Sequence, residues 1–126
     1  MAANKIIRFG PVALTTTLTT NIINGTVTSL AGPVGFTMTQ PYLLLKHIRI
    51  VNKTASAATF SLWLGLTGAN TAGTEVIGTA LSVPANAAFE WFSPVGLRMD
   101  VADFLVGGSA TATALTFEAE GEIGLI

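Results

Sequence analysis

The chain has 126 residues, half of them hydrophobic and only 10% charged, with a net charge of −1, no cysteine and one histidine. That length is one domain's worth and is enough to bury a core. The charge balance lacks the basic footprint of a nucleic-acid binder, and without cysteine neither disulfides nor thiolate metal sites hold the fold.

Mean hydropathy is +0.62, yet no apolar run approaches the ~20 residues of a spanning helix. The run Leu43-Leu44-Leu45, for example, is cut by Lys46. The opening MAANKIIRFGP has no apolar h-region, so no secretory signal is expected. Ordinary soluble domains carry about 25% charged residues. The deficit predicts that much of the surface is covered by other copies or by another protein. Charge is also segregated along the chain. Lys5, Arg8, Lys46, Arg49 and Lys53 precede every acid, whereas Arg98 is the lone base from Glu75 onward.

Glu, Lys and Gln are scarce, Thr and Val are common, and Gly or Pro interrupts each long segment, which disfavours helices. Short strands are predicted over 5–9, 13–19, 35–39, 43–51, 59–65, 75–83, 88–93, 97–99 and 113–125. Residues 1–40 include LTTTLTTNIINGTVTSLAG, Thr-rich and low in complexity, and read as an extended arm or edge ribbon beside a sandwich core at 41–126 of a single domain. The segments YLLLKHIRIVNK and ATFSLWLGL are the clearest strands, and Asn52-Lys53-Thr54-Ala55-Ser56 between them predicts a hairpin. In the second, Phe60, Leu62 and Leu64 share one face, and Ser61 and Trp63 share the other. Turns are expected at Asn24-Gly25, Gly32-Pro33, 65–73 and Gly107-Gly108, and one helical turn over 100–104. Many short strands separated by turn signals predict an all-β antiparallel sandwich, jelly-roll-like in form.

The C-terminal LTFEAEGEIGLI alternates with period two, setting Leu115, Phe117, Ala119, Gly121 and Ile123 on one side and Thr116, Glu118, Glu120 and Glu122 on the other. Three glutamates on one face repel each other unless they meet cations. Lys46 and Arg49, or Lys5 and Arg8, on a neighbouring strand or subunit are the candidate complements. The seven residues Lys5, Arg8, Lys46, Arg49, Glu118, Glu120 and Glu122 form the candidate interface. Exposed pairs contribute only about 0–1 kcal/mol each, so such a ladder sets register and partner choice more than affinity.

Signals for catalysis are weak. His47 has no second His, Cys or adjacent carboxylate, so a structural or interface role outweighs a metal site. No G-x-S-x-G elbow supports a hydrolase triad. The stretch 65–73 lacks the Lys-Ser/Thr of a phosphate loop and reads as a flexible loop. Asn24-Gly25-Thr26 and Asn52-Lys53-Thr54 match the glycosylation sequon, which has meaning only in a secreted protein. Asp100 and Asp103 lack the oxygen-rich neighbours of a calcium site and read as turn residues. Glu118, Glu120 and Glu122 have a spacing compatible with a glycosidase pair, but three equivalent carboxylates look like a solvated or ion-paired face. No catalytic residue, cofactor or metal is expected.

From Pro41 onward, PYLLLKHIRIVNKTASAATFSLWLG, GTEVIGTALSVPANAAFEWFSPVGLRMDVADFLVGGSA and LTFEAEGEIGLI together resemble small virion proteins of tailed bacteriophages, most of all capsid decoration or cement proteins. The resemblance implies a non-enzymatic β-sandwich on the capsid surface, made in the host cytoplasm. It implies a homotrimer that binds the major capsid protein and clamps adjacent capsomers. The Thr-rich segment then suits an arm over neighbouring subunits, and removal of 1–30 is expected to leave a folded sandwich. The alternative is a tail or head–tail component, such as a host-glycan binder with Trp63, Trp91 or Tyr42 as stacking platforms.

Overall fold

The computed structural model describes residues 5–24, 42–100 and 103–124. Among these there is no helix. The described residues form eight strands: β1 (Lys5–Ala13), β2 (Asn21–Asn24), β3 (Tyr42–Asn52), β4 (Ala58–Gly65), β5 (Leu81–Val83), β6 (Ala88–Asp100), β7 (Phe104–Ser109) and β8 (Leu115–Gly124). They make two antiparallel four-stranded sheets, sheet A in the order β1-β8-β3-β6 and sheet B in the order β2-β7-β4-β5. The pairing is nested: first strand with last, second with seventh, third with sixth, fourth with fifth.

Period-two patterning explains the layers. Leu43, Leu45, Ile48 and Ile50 of β3 and Leu115, Phe117 and Ala119 of β8 point inward from sheet A. They meet Phe60, Leu62, Leu105 and Val83 of sheet B in one core. On β4 the other face is covered too. Ser61 and Trp63 are buried there, with Ala80 N–H donating to Ser61 Oγ, while Glu75 bridges Trp63 and Val76 N–H donates to the Leu62 carbonyl along the edge of the strand. A continuous apolar run is the usual mark of a strand buried on both sides.

The structure corrects several sequence expectations. The predicted hairpin of 43–51 with 59–65 is instead a corner between sheets, since β3 belongs to sheet A and β4 to sheet B. Local pattern cannot separate the two cases, because both need a polar turn between half-buried strands. Asn52 makes the corner. Buried at 1% exposure, its amide donates to the carbonyls of Ser56 and Val83, and its Oδ1 accepts from Thr54 N–H and Oγ1. Every polar atom of that side chain is engaged, so the Asn52 sequon offers no accessible acceptor.

Gly107-Gly108 is not a turn but the middle of β7. A Cβ at Gly107 would lie 2.1 Å from the Ser61 carbonyl oxygen. The glycine therefore marks close backbone approach within a sheet rather than a reversal. Of the predicted strand at 75–83 only Leu81–Val83 is regular, while 88–93 and 97–99 fuse into β6. The predicted 13–19 strand ends at Ala13 and gives way to Thr-mediated turns: Thr20 Oγ1 donates to the Thr17 carbonyl at 2.7 Å and contacts Thr15 Oγ1 at 2.7 Å. Residues 101–102 of the expected helical turn at 100–104 lie outside the described residues; at its ends Asp103 N–H donates to the Asp100 carbonyl and Asp100 N–H to the Asp103 carboxylate. The strand at 35–39 and the turns at Asn24-Gly25 and Gly32-Pro33 lie outside the described residues, as do 25–40 of the expected arm.

Residues 5–24 form edge strands on both sheets and contribute Phe9, Leu14, Ile22 and Ile23 to the core. Removal of 1–30 therefore strips two strands and four core side chains. The truncated chain is expected to lose its cooperative thermal transition, as read by circular dichroism, rather than remain a folded sandwich. Asn52→Ala removes the amide donors to the Val83 and Ser56 carbonyls and the Oδ1 acceptor of Thr54 N–H, and is expected to cost about 2–4 kcal/mol in denaturant unfolding.

Candidate functional site: the outer face of sheet A

The candidate interface residues, Lys5 apart, converge on the outer face of sheet A, and the register explains how. On β8, Glu118, Glu120 and Glu122 alternate with buried Phe117, Ala119 and Gly121. Arg49 stands opposite Glu118 on one side and Glu90 on the other; Arg8 stands opposite Glu120. Lys46 reaches Glu122 with Nζ to Oε2 at 2.7 Å. Lys5 differs. It pairs with Ile123, one step out of phase with the glutamates.

A single inserted residue organises this face. The β3–β8 register runs Leu45 to Gly121 and then His47 to Glu120, leaving Lys46 as an extra residue, and the β3–β6 register shifts at the same place. Such a bulge resets strand parity. Leu45 and Ile48 can then both face the core, and Lys46 and His47 both project outward. Sheet A accommodates it through Gly121, where a Cβ would sit 2.0 Å from the Leu44 carbonyl oxygen.

His47 is the centre of a cluster not anticipated from the sequence. Its Nδ1 lies 3.3 Å from Glu120 Oε1 and its Nε2 lies 3.2 Å from Glu90 Oε1. Its ring stacks on Phe92 with centroids 4.5 Å apart and planes 16° apart. A neutral imidazole has one N–H and one lone pair, so only the imidazolium donates to both carboxylates. The sequence signal for this arrangement is the phase slip in LLLKHIRI: apolar residues at 43 and 45, then at 48 and 50.

The whole molecule is electrically one-sided. Of the Lys, Arg, Asp and Glu side chains among the described residues, all except Glu75 and Asp103 lie on or at the rim of this face. Arg98 and Asp100 complete it with an ion pair at 2.8 Å. Exposed apolar groups sit among the charges, with Phe92 66% and Ile6 87% exposed. Two shallow depressions of ≈ 210 Å³ each flank the glutamate column, one lined by Arg49, Lys53 and Glu118 and the other by Ile6, Lys46 and Glu122. Both fall below the ~300–1,000 Å³ of typical small-molecule sites.

Other readings meet specific geometry. Trp63 is buried and Trp91 packs against the core, so neither is a stacking platform for sugars; the Tyr42 side chain lies outside the described residues. The 65–73 loop is tied down through Asn21, which donates to Thr67 Oγ1 and accepts from Gly68 N–H. Among the described residues no group of three or more His, Cys, Asp or Glu side chains is placed to hold a metal ion. No helix among them is long and apolar enough to cross a membrane. Compared with known proteins, the chain matches no family model and no curated protein.

The charges of this face are half-exposed, with side-chain exposures of 51% for Glu120 and 49% for Glu90. Glu120→Gln is therefore expected to change unfolding stability by no more than about 1 kcal/mol, as measured by urea denaturation.

Proposed function

We propose that the chain is a non-enzymatic structural protein of a tailed-phage particle, a decoration protein with a jelly-roll sandwich that binds the assembled capsid lattice. The observation that carries this reading is the nested strand pairing, with sheet orders 1-8-3-6 and 2-7-4-5. That order is what results when one long antiparallel ribbon, with β4 and β5 at its tip, is rolled into two facing sheets. Jelly rolls of eight strands recur in viral capsid and lectin domains.

Two further features support an assembly role. Charge is confined mainly to one face, and the opposite side, which carries residues 14–20 and 66–80, is rich in Thr, Ala and Gly, with Glu75 as its acid in those segments and Leu66 72% exposed. Interface cores are depleted in charge relative to the free surface. A protein that binds only the assembled shell stabilises it by mass action, and copies clamped across capsomer boundaries resist internal pressure. In this reading the major capsid protein is the partner, and the mature location is the virion surface.

The test is co-sedimentation of the purified protein with empty phage heads. Saturable binding at a fixed ratio to the major capsid protein is expected, with heads that rupture less readily on heating. Absence from heads, with labelled protein found at the tail tip by electron microscopy, would overturn the decoration role in favour of a tail component.

A further inference from the structure

We propose that the outer face of sheet A is a self-complementary surface that pairs with the same face of a second copy, about a two-fold axis parallel to the strands and midway between β8 and β3. The argument is charge complementarity read from the register. The central columns of the face are complementary: Glu118, Glu120 and Glu122 descend β8, while cationic Arg49, the hydrogen-bonding ring of His47 and the inserted, cationic Lys46 descend β3 beside them. Rotation about an axis between these columns lays each on its opposite in the other copy. Glu118 then faces the second copy's Arg49 and Glu120 its His47, while Glu122 comes over its Leu44, beside the inserted Lys46. In an isologous contact each such pair occurs twice.

The outer columns agree with this placement. Arg8, level with Glu120 on β1, comes over Phe92, which is level with His47 on β6. A guanidinium over an exposed phenyl ring is an attractive contact. The other in-plane two-fold, perpendicular to the strands and centred on the Glu120–His47 row, sets Glu118 over Glu122, Glu120 over Glu120 and Arg8 over Arg8, with Glu90 over Arg98 as its attractive pair. The axis parallel to the strands brings fewer like charges together.

Contacts within the chain do not exhaust these groups, because a carboxylate has about four acceptor sites and an ammonium three donors. The footprint limits the strength. Four strands at ~4.8 Å spacing and about nine residues of overlap cover on the order of 600 Å² per copy, below the ~800 Å² per partner of a standard interface. The dimer is therefore weak and sensitive to salt.

This inference does not depend on the capsid reading and is tested on the purified chain alone. Sedimentation velocity at low salt is expected to show a monomer–dimer equilibrium that shifts to monomer at about 1 M salt, where the screening length is ~3 Å. The triple variant Glu118→Lys, Glu120→Lys, Glu122→Lys and the double variant Lys46→Glu, Arg49→Glu are each expected to stay monomeric. Mixed one to one, they are expected to form a heterodimer. A third variant carrying all five substitutions swaps the columns and keeps opposite signs at the 46–122 and 49–118 positions, and circular dichroism checks that it folds. It is expected to dimerise with itself yet form no mixed dimer with the parent by native mass spectrometry. A parent that remains single at millimolar concentration, a trimeric mass, or a column-swapped variant that mixes freely with the parent overturns the proposal.

Discussion

The parity of β3 is the constraint on which the rest of sheet A depends. A strand offers alternate side chains to opposite faces, so a slip of one residue would turn Ile48 and Ile50 outward and Arg49 into the core. Lys46 absorbs that slip as an inserted residue. Above it Leu43 and Leu45 are buried, below it Ile48 and Ile50 are buried, and every one has 0% exposure. The same insertion places two consecutive basic side chains on one face, where β8 supplies its glutamates. Core and charged face thus have a common origin.

Energy and specificity are divided between the two faces. The inner face contributes burial, at about 25 cal/mol per Å² of apolar surface, through side chains such as Phe9, Phe60 and Phe117 that are almost wholly enclosed. The outer face contributes little to folding, because half-exposed ion pairs are weak. Its ordered alternation of sign does constrain what can lie against it, since like charges brought into contact are costly. Where polar groups do enter the core they are fully engaged, as at Asn52.

Much of this architecture is legible in the amino-acid sequence. The period-two runs at 43–51, 59–65 and 113–125 correspond to β3, β4 and β8, and the pairing of the glutamate column with basic residues follows from electrostatics. Lys46 and Glu122 do meet. What the pattern misreads, it misreads for identifiable reasons. β7 escapes because its glycines carry the usual mark of a turn, whereas Gly107 permits close approach to Ser61 and Leu62 and Gly108 to Thr15 and Thr17. β2 is short, and its flanks are Thr-rich, so Ile22 and Ile23 carry no periodic signal. The His47 cluster draws Glu90 and Glu120 from strands far apart in the chain, a juxtaposition that only long-range pairing creates. The corner at Asn52 resembles a hairpin because a polar turn does not reveal which sheet the next strand joins.

The long outer strand β6 has a further consequence. Opposite the lone inserted Lys46, β6 carries Ser93, Pro94, Val95 and Gly96, a protrusion closed by Gly96 N–H donating to Ser93 Oγ, with Val95 81% exposed. Proline has no N–H to offer, and the protrusion breaks the straight ladder of backbone donors and acceptors midway. An apolar, lightly charged chain risks lateral strand addition into fibrils. In this fold the most extended free margin is blunted at its midpoint, so crowding favours defined face contacts over runaway sheet growth.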